Sequence, residues 1–117
     1  MEFAVEFYET TSGSCPVREF LEKLKNTDPD DFAAVMAGLA KLRDSSCHKP
    51  PLSKPLGDEL FELRHVGKLN TRVMFCFAKG KRIIALHAIR NKATAIAARD
   101  RRTALVRKSD WHTRHQK

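Results

Sequence analysis

Between Lys54 and Lys92 the chain carries several cations and one carboxylate at spacings that suit a phosphate. Read as strands, 60–65 places Glu62 and Arg64 on one face, opposite Phe61, Leu63 and His65. The next strand, 71–78, sets Arg72, Met74 and Cys76 against Val73, Phe75 and Phe77. A third, 82–89, sets Ile84, Leu86 and Ala88, with Arg90 beyond, against Ile83, Ala85, His87 and Ile89. If Val73, Phe75 and Phe77 face a core, Arg72 projects onto the opposite, open face. Glu62 and Arg64 join it there, Arg90 and Lys92 close the cluster from the third strand's end, and Lys54 lines the rim. A guanidinium offers a planar fork of donors to two phosphate oxygens and stays charged at any working pH.

Cleaving RNA without a metal uses the ribose 2′-hydroxyl as nucleophile. The protein must remove its proton, stabilise charge on the phosphoryl group and protonate the leaving 5′-oxygen. Glu62, or a lysine among cationic neighbours, is the candidate base. Arg64, Arg72 and Arg90 are the charge stabilisers, and Lys92 or His87 the acid. Lys54, Lys68, His87 and Trp111 are candidate RNA contacts. Each has a plainer alternative. Arg64 and Arg72 pair with Glu62 across the strands; His87 sits in or under the sheet as a neutral, hydrogen-bonded ring; Trp111 packs instead of stacking on a base. The arginines at 99, 101, 102 and 107 read as a solvated helix face. An arginine starting a solvent-facing strand adds little to a core, so Arg72→Ala is expected to abolish activity and leave the fold intact.

No metal ligand set or cofactor motif accompanies these residues. Cys15, Cys47 and Cys76 form an odd set without CxxC spacing, which argues against a disulfide framework and points to a reducing cytoplasm. No run is long enough to cross a bilayer, and the opening MEFAVEF alternates and holds two acids, unlike a signal peptide. The net charge is +8 and unevenly spread. Residues 1–44 carry five Lys/Arg against nine Asp/Glu, whereas residues 45–117 carry seventeen against five, a balance of +12. A basic half of that strength points to a polyanion or an acidic protein partner.

These residues need a sheet to hold them. Residues 3–8 alternate as a strand with one apolar face. Ser14 is the expected N-cap of a helix from Pro16, with Val17, Phe20, Leu21 and Leu24 on one side. Asp28-Pro29 starts a second helix striped by Phe32, Val35, Met36, Leu39 and Leu42. Residues 45–58, holding Pro50, Pro51, Pro55 and Gly57, read as a loop. The three strands follow, joined by a 67–70 turn and by Lys79-Gly80-Lys81, where glycine supplies positive φ. From about Thr94 an Ala- and Arg-rich helix is expected against the sheet edge, since Ile96, Leu105 and Val106 are too scattered for deep burial; a frayed tail follows from Trp111. The order β-α-α-β-β-β-α predicts one α+β domain over residues 1–117: an antiparallel sheet with the helical hairpin on one face and the other face open.

The run Lys54-Pro-Leu-Gly-Asp-Glu-Leu-Phe-Glu-Leu-Arg64, then Arg72-Val-Met-Phe, a Gly turn and Ile-Ile-Ala-Leu-His87 resembles the phage-derived, HigB-like branch of the RelE/ParE toxins. The resemblance covers most of the chain. It implies a RelE-like fold and a bacterial type II toxin, neutralised by a helix-turn-helix antitoxin encoded nearby through which the pair binds operator DNA. HigB and RelE relatives cut mRNA on the ribosome and so inhibit translation; ParE relatives share the fold but act on DNA gyrase. A ribosome-dependent mRNA endonuclease is therefore the leading expectation, with a gyrase-directed toxin or a plain nucleic-acid-binding module as alternatives. By the same resemblance Arg72 stands where the family's phosphate-contacting arginine starts its strand. Glu62 and Arg64 occupy positions where nuclease members often hold lysines. Arg90 and Lys92 fall where a Lys-Lys-Thr stretch is usual, here Asn91-Lys92-Ala93-Thr94, and Asp110-Trp111 matches a common Asp-aromatic ending.

Overall fold

Strands form where the sequence alternates, and one forms where it does not. The computed structural model describes residues 2–48, 50, 52–65, 71–90 and 96–115. Lys68, the 67–70 turn and Lys92 lie outside the described residues. The elements run β1 (Ala4–Phe7), α1 (Pro16–Thr27), α2 (Pro29–Lys41), a 3₁₀ turn at Ser45–Cys47, β2 (Ser53–Gly57), β3 (Leu60–His65), β4 (Thr71–Ala78), β5 (Arg82–Arg90) and α3 (Ala98–His115). The α+β class and the expected order hold, with β2 added inside the stretch read as a loop. Pro55 hid that strand. It is tolerated because β2 is an edge strand of the five-stranded sheet, whose order is β1-β5-β4-β3-β2. β1 joins β5 in parallel, and the other neighbours are antiparallel.

Both hairpin helices begin at a proline. α1 starts one residue later than a Ser14 cap requires: Cys15 is its N-cap and makes no side-chain cap bond. Glu19 reaches back instead, accepting from the Cys15 backbone N at 3.3 Å and the Ser14 hydroxyl at 2.8 Å. Asp28 caps α2, accepting from the Asp31 backbone N at 3.2 Å. Val17, Leu21 and Leu24 of α1 and Val35 and Leu39 of α2 pack with Leu63, Val73, Phe75, Ile83 and Ala85 on one face of the sheet. Met36, expected in that stripe, is 39% exposed.

The other face is not open. α3 lies over it, and Tyr8, Leu60, Met74, Cys76, Ile84, Leu86, Ala104 and Trp111 form a second core. The expectation of an edge-bound helix failed because it sought large apolar residues. Val106 is 63% exposed, and the helix is seated by Ala104 and Trp111, seven residues apart and so on one face. The helix continues through the supposed frayed tail to His115, whose Nδ1 lies 2.8 Å from Trp111 O.

A bulge in β5 decides which face each of its later residues occupies. Val73 pairs with Ala88 and Met74 with His87, but Phe75 pairs with Ala85, so Leu86 is the extra residue. Strict alternation fails beyond it. His87 joins Leu86 on the α3 side, and Arg90 turns to the helical-hairpin side.

Candidate functional site

The register of the β2-β3-β4 meander brings four of the proposed residues together. Lys54 pairs with Glu62, and Arg64 pairs directly with Arg72. Glu62 stands two residues before Arg64, so all four share one face. Lys54 is exposed and Arg64 partly buried, whereas Glu62 and Arg72 are 3% and 1% exposed. Arg72 was expected to project into solvent. It starts the central strand of the sheet on the face that carries the second core, and its Nε lies 3.9 Å from Glu62 Oε2 in a buried ion pair. The cross-strand pairing anticipated as the plainer reading is thus present for Arg72.

Two guanidinium groups at directly opposed positions repel, and the Glu62 carboxylate pairs with one of them, Arg72. Glu62 Oε2 and Arg64 Nε are buried, and neither makes a hydrogen bond among the described residues. A buried charged donor without a hydrogen bond is costly, and an anion that accepts from it recovers the loss. With Lys54 opposite Glu62 the group holds three cations to one carboxylate. Such a balance of charge is chemically able to accept a small anion beside Arg64 and Lys54, with Glu62 and Arg72 paired in the interior.

The structure does not bring Arg90 to this group. Thrown to the hairpin side by the bulge, Arg90 pairs with Asp28 and lies 3.4 Å from Asp31 Oδ2, against the start of α2. Thr71, opposite Arg90 in the sheet, donates its hydroxyl to the same Asp31 carboxylate. Trp111 is 6% exposed, with the Arg82 guanidinium 5.0 Å from its ring centroid and the His115 ring stacked at 4.3 Å. It packs, and offers no free platform for a base.

His87 has both ring nitrogens engaged by α3. Arg107 Nη1 donates to Nδ1 at 3.1 Å and to Leu86 O at 2.9 Å, and Nε2 lies 2.9 Å from Asp100 Oδ1. With Arg107 donating to Nδ1, Nε2 carries the ring hydrogen and donates to the carboxylate. The neutral, hydrogen-bonded reading of His87 therefore fits its contacts. Arg107 and Asp100 were missed as partners because the α3 arginines were read as one solvated face. Arg99 and Arg102 are exposed, but Arg101 bonds Asp58 at 2.8 Å, and burial pulls the Arg107 guanidinium below its ordinary value. The signal was there: Asp100, Ala104, Arg107 and Trp111 recur at 4, 3 and 4 residues, one helical face.

At the far end of α3, Tyr8 donates to Asp110 Oδ2 at 2.6 Å, and Arg114 bonds the same oxygen at 2.8 Å. The Tyr8 bond, with help from Arg114, lowers the Asp110 carboxyl below its usual range. Desolvation first, then the Asp110 bond, raises the Tyr8 phenol. Among the described residues no three His, Cys, Asp or Glu side chains gather into a metal-binding group. No described helix is long and apolar enough to cross a membrane.

The family model described as phage derived protein Gp49-like (DUF891) matches residues 19–109, from the first turn of α1 to about two thirds of the way along α3. None of the curated proteins matches the chain.

Proposed function

The chain belongs to the phage-derived Gp49-like family, a toxin-like family, and from that premise we propose that it is the toxin of a type II toxin–antitoxin pair that cuts mRNA on the ribosome. One observation carries the reading: Arg64 faces Arg72 across the strands with its Nε buried and lacking a hydrogen bond among the described residues, beside exposed Lys54. That is a demand a phosphate meets, in a cluster of three cations around one carboxylate.

In the cleavage step the 2′-oxygen bonds to phosphorus and the bond to the 5′-oxygen breaks. One proton leaves the 2′-hydroxyl and one reaches the 5′-oxygen. Arg64 and Lys54 meet the charge that builds on the phosphoryl oxygens. Burial makes Glu62 a positioning residue, with Arg72, and no longer the first choice of base. His87, engaged at both nitrogens, is likewise released from the role of acid. The proton transfers are assigned to two lysines, exposed Lys54 and Lys92, the latter outside the described residues. A helix-turn-helix antitoxin is the partner this reading requires, and operator DNA is reached through it. The +12 balance of residues 45–117 suits an acidic antitoxin surface and a salt-sensitive association rate.

The test is an in vitro translation reaction with primer extension on the message. Codon-phased cuts that depend on translation and disappear with Arg64→Ala are expected. Intact message together with blocked supercoiling by gyrase would overturn the endonuclease in favour of a gyrase-directed toxin.

A further inference from the structure

From Phe32 to Ala40, nine residues in a row, α2 carries no polar side chain. The molecule itself uses one side of that run: Val35, Gly38 and Leu39 are buried, and Phe32 packs against the same core. Ala33, Met36, Ala37 and Ala40 are exposed and, at spacings of 3, 1 and 3 residues, form one stripe along the outer face. Met36 is one of two large hydrophobic side chains exposed among the described residues. α1, packed beside α2, follows the ordinary pattern, with Arg18, Glu22 and Lys25 on its solvent side. A helix that is apolar all round is normally covered all round, and a single copy of the chain covers only half of this one.

We propose that the outer face of α2 is the contact surface for a second copy of this chain, packed antiparallel about a twofold axis that crosses between Met36 and Ala37. The charges bounding the stripe choose that occupant. Asp30 precedes it, Lys41 follows it, and both are exposed. Eleven residues separate them, a rotation about 20° beyond three full turns, so they share one flank of the stripe. A twofold axis across the helix keeps that flank facing itself and exchanges the two ends. Asp30 of each copy then comes within about 3 Å, along the helix axis, of the level of Lys41 of the other, and two ion pairs bracket the stripe. A parallel pair would set Asp30 beside Asp30 and Lys41 beside Lys41. The alanines let the two helix axes approach to about 8 Å, and Met36 packs across the twofold axis on the other flank. With one acid and one base at its ends, the stripe offers a polyanion no net attraction. The contact spans one helix of 13 residues per copy, so it belongs with the small, reversible interfaces. Lys54 and Arg64 lie on the opposite face of the sheet, so pairing leaves the anion group of each copy open. The inference therefore does not depend on the proposed function.

The test is analytical ultracentrifugation of the full chain at low salt, from micromolar to millimolar concentration. A reversible monomer–dimer equilibrium is expected. Asp30→Lys and Lys41→Glu each convert both ion pairs to like-charge pairs, and each should weaken pairing about tenfold. Mixed in equal amounts, these two variants should pair with each other at close to wild-type strength, because two cations on one copy then meet two carboxylates on the other. Ala37→Glu, which places a charge in the centre of the apolar stripe, should abolish pairing alone and in mixtures. All three positions are exposed, so the fluorescence of buried Trp111 should report the same folded state in every variant. A chain that stays monomeric at millimolar concentration, pairing that survives Ala37→Glu, or charge variants that fail to recover on mixing overturns the proposal; the first of these would assign the face to a different protein. All three variants should cut message in the translation reaction as the wild type does. If the wild type pairs but cuts nothing, only the nuclease reading falls; if it cuts but does not pair, only the dimer falls.

Discussion

Replacing Arg72 with alanine should damage the fold before it says anything about chemistry. Arg72 is 1% exposed and among the largest fully buried side chains. Its Nε lies 3.9 Å from Glu62 Oε2, in a pair whose carboxylate is itself buried. At that separation the attraction is on the order of 4 kcal/mol with an effective dielectric of about 20. Removing one partner of a buried pair typically costs roughly 3–5 kcal/mol, because the other charge stays behind in a poorly solvated place. Truncating a large buried side chain adds a cavity. Two effects work in the opposite direction: the carboxylate keeps Arg64 nearby, and the repulsion between opposed guanidinium groups, about 0.2–1 kcal/mol, disappears. The net expectation is a loss of about 3 kcal/mol, a large share of the roughly 6–17 kcal/mol that a domain of this length commonly has. Urea unfolding followed by the fluorescence of buried Trp111, the chain's one tryptophan, reads this directly. The double variant Glu62→Gln with Arg72→Met, which removes both charges and keeps volume, should lose less than Arg72→Ala alone. An Arg72→Ala protein within about 1 kcal/mol of wild type would refute the buried-pair account. Lost toxicity in that variant is therefore no evidence of a phosphate contact until its stability has been measured.

Arg64→Ala is the cleaner probe of the anion site: it should abolish message cutting while shifting stability by less than about 1 kcal/mol, since it removes a like-charge neighbour of Arg72. Asp100→Ala should cost about 1–2 kcal/mol and speed hydrogen exchange in the first turns of α3, because the bond to His87 pins that end to β5; unchanged exchange there would count against the staple. Burial pushes the Cys76 thiol up from 9.0 to about 11, so the folded protein holds this proton where the unfolded chain releases it. Stability is accordingly full below about pH 9 and lost as pH rises towards 11, by about 2–3 kcal/mol; Cys76→Ala should flatten that part of the urea-unfolding profile. Glu6, held down chiefly by its bond from Arg82, and Asp110, held down by Tyr8 and Arg114, shift the opposite way, so their contribution is present above their ordinary values and lost in acid. Arg82→Gln should lessen the acid-induced loss, measured as the midpoint of acid unfolding.

Period-two alternation was enough to mark β3, β4 and β5 and to pair Glu62, Arg64 and Arg72 on one face, because side-chain direction in a strand is a local property of the backbone. Proline and its capping aspartate marked the start of α2 for the same reason: Asp28 bonds three residues ahead. β2 was not legible, since whether Pro55 can sit in a strand depends on being at the edge, which only the assembled sheet determines. Nor was the bulge at Leu86 legible. One extra residue costs nothing in local pattern, yet it sends His87 to α3 and Arg90 to Asp28, on opposite faces of the sheet. The depth of Arg72 was beyond the sequence as well. A charged residue reads as solvent-facing until a carboxylate of suitable reach lies beside it and a helix seated by an alanine and one tryptophan closes the same face. Residue types and, where no bulge intervenes, their faces belong to the chain; burial, and with it the division between side chains that meet a substrate and those that hold them, arises only when distant segments pack.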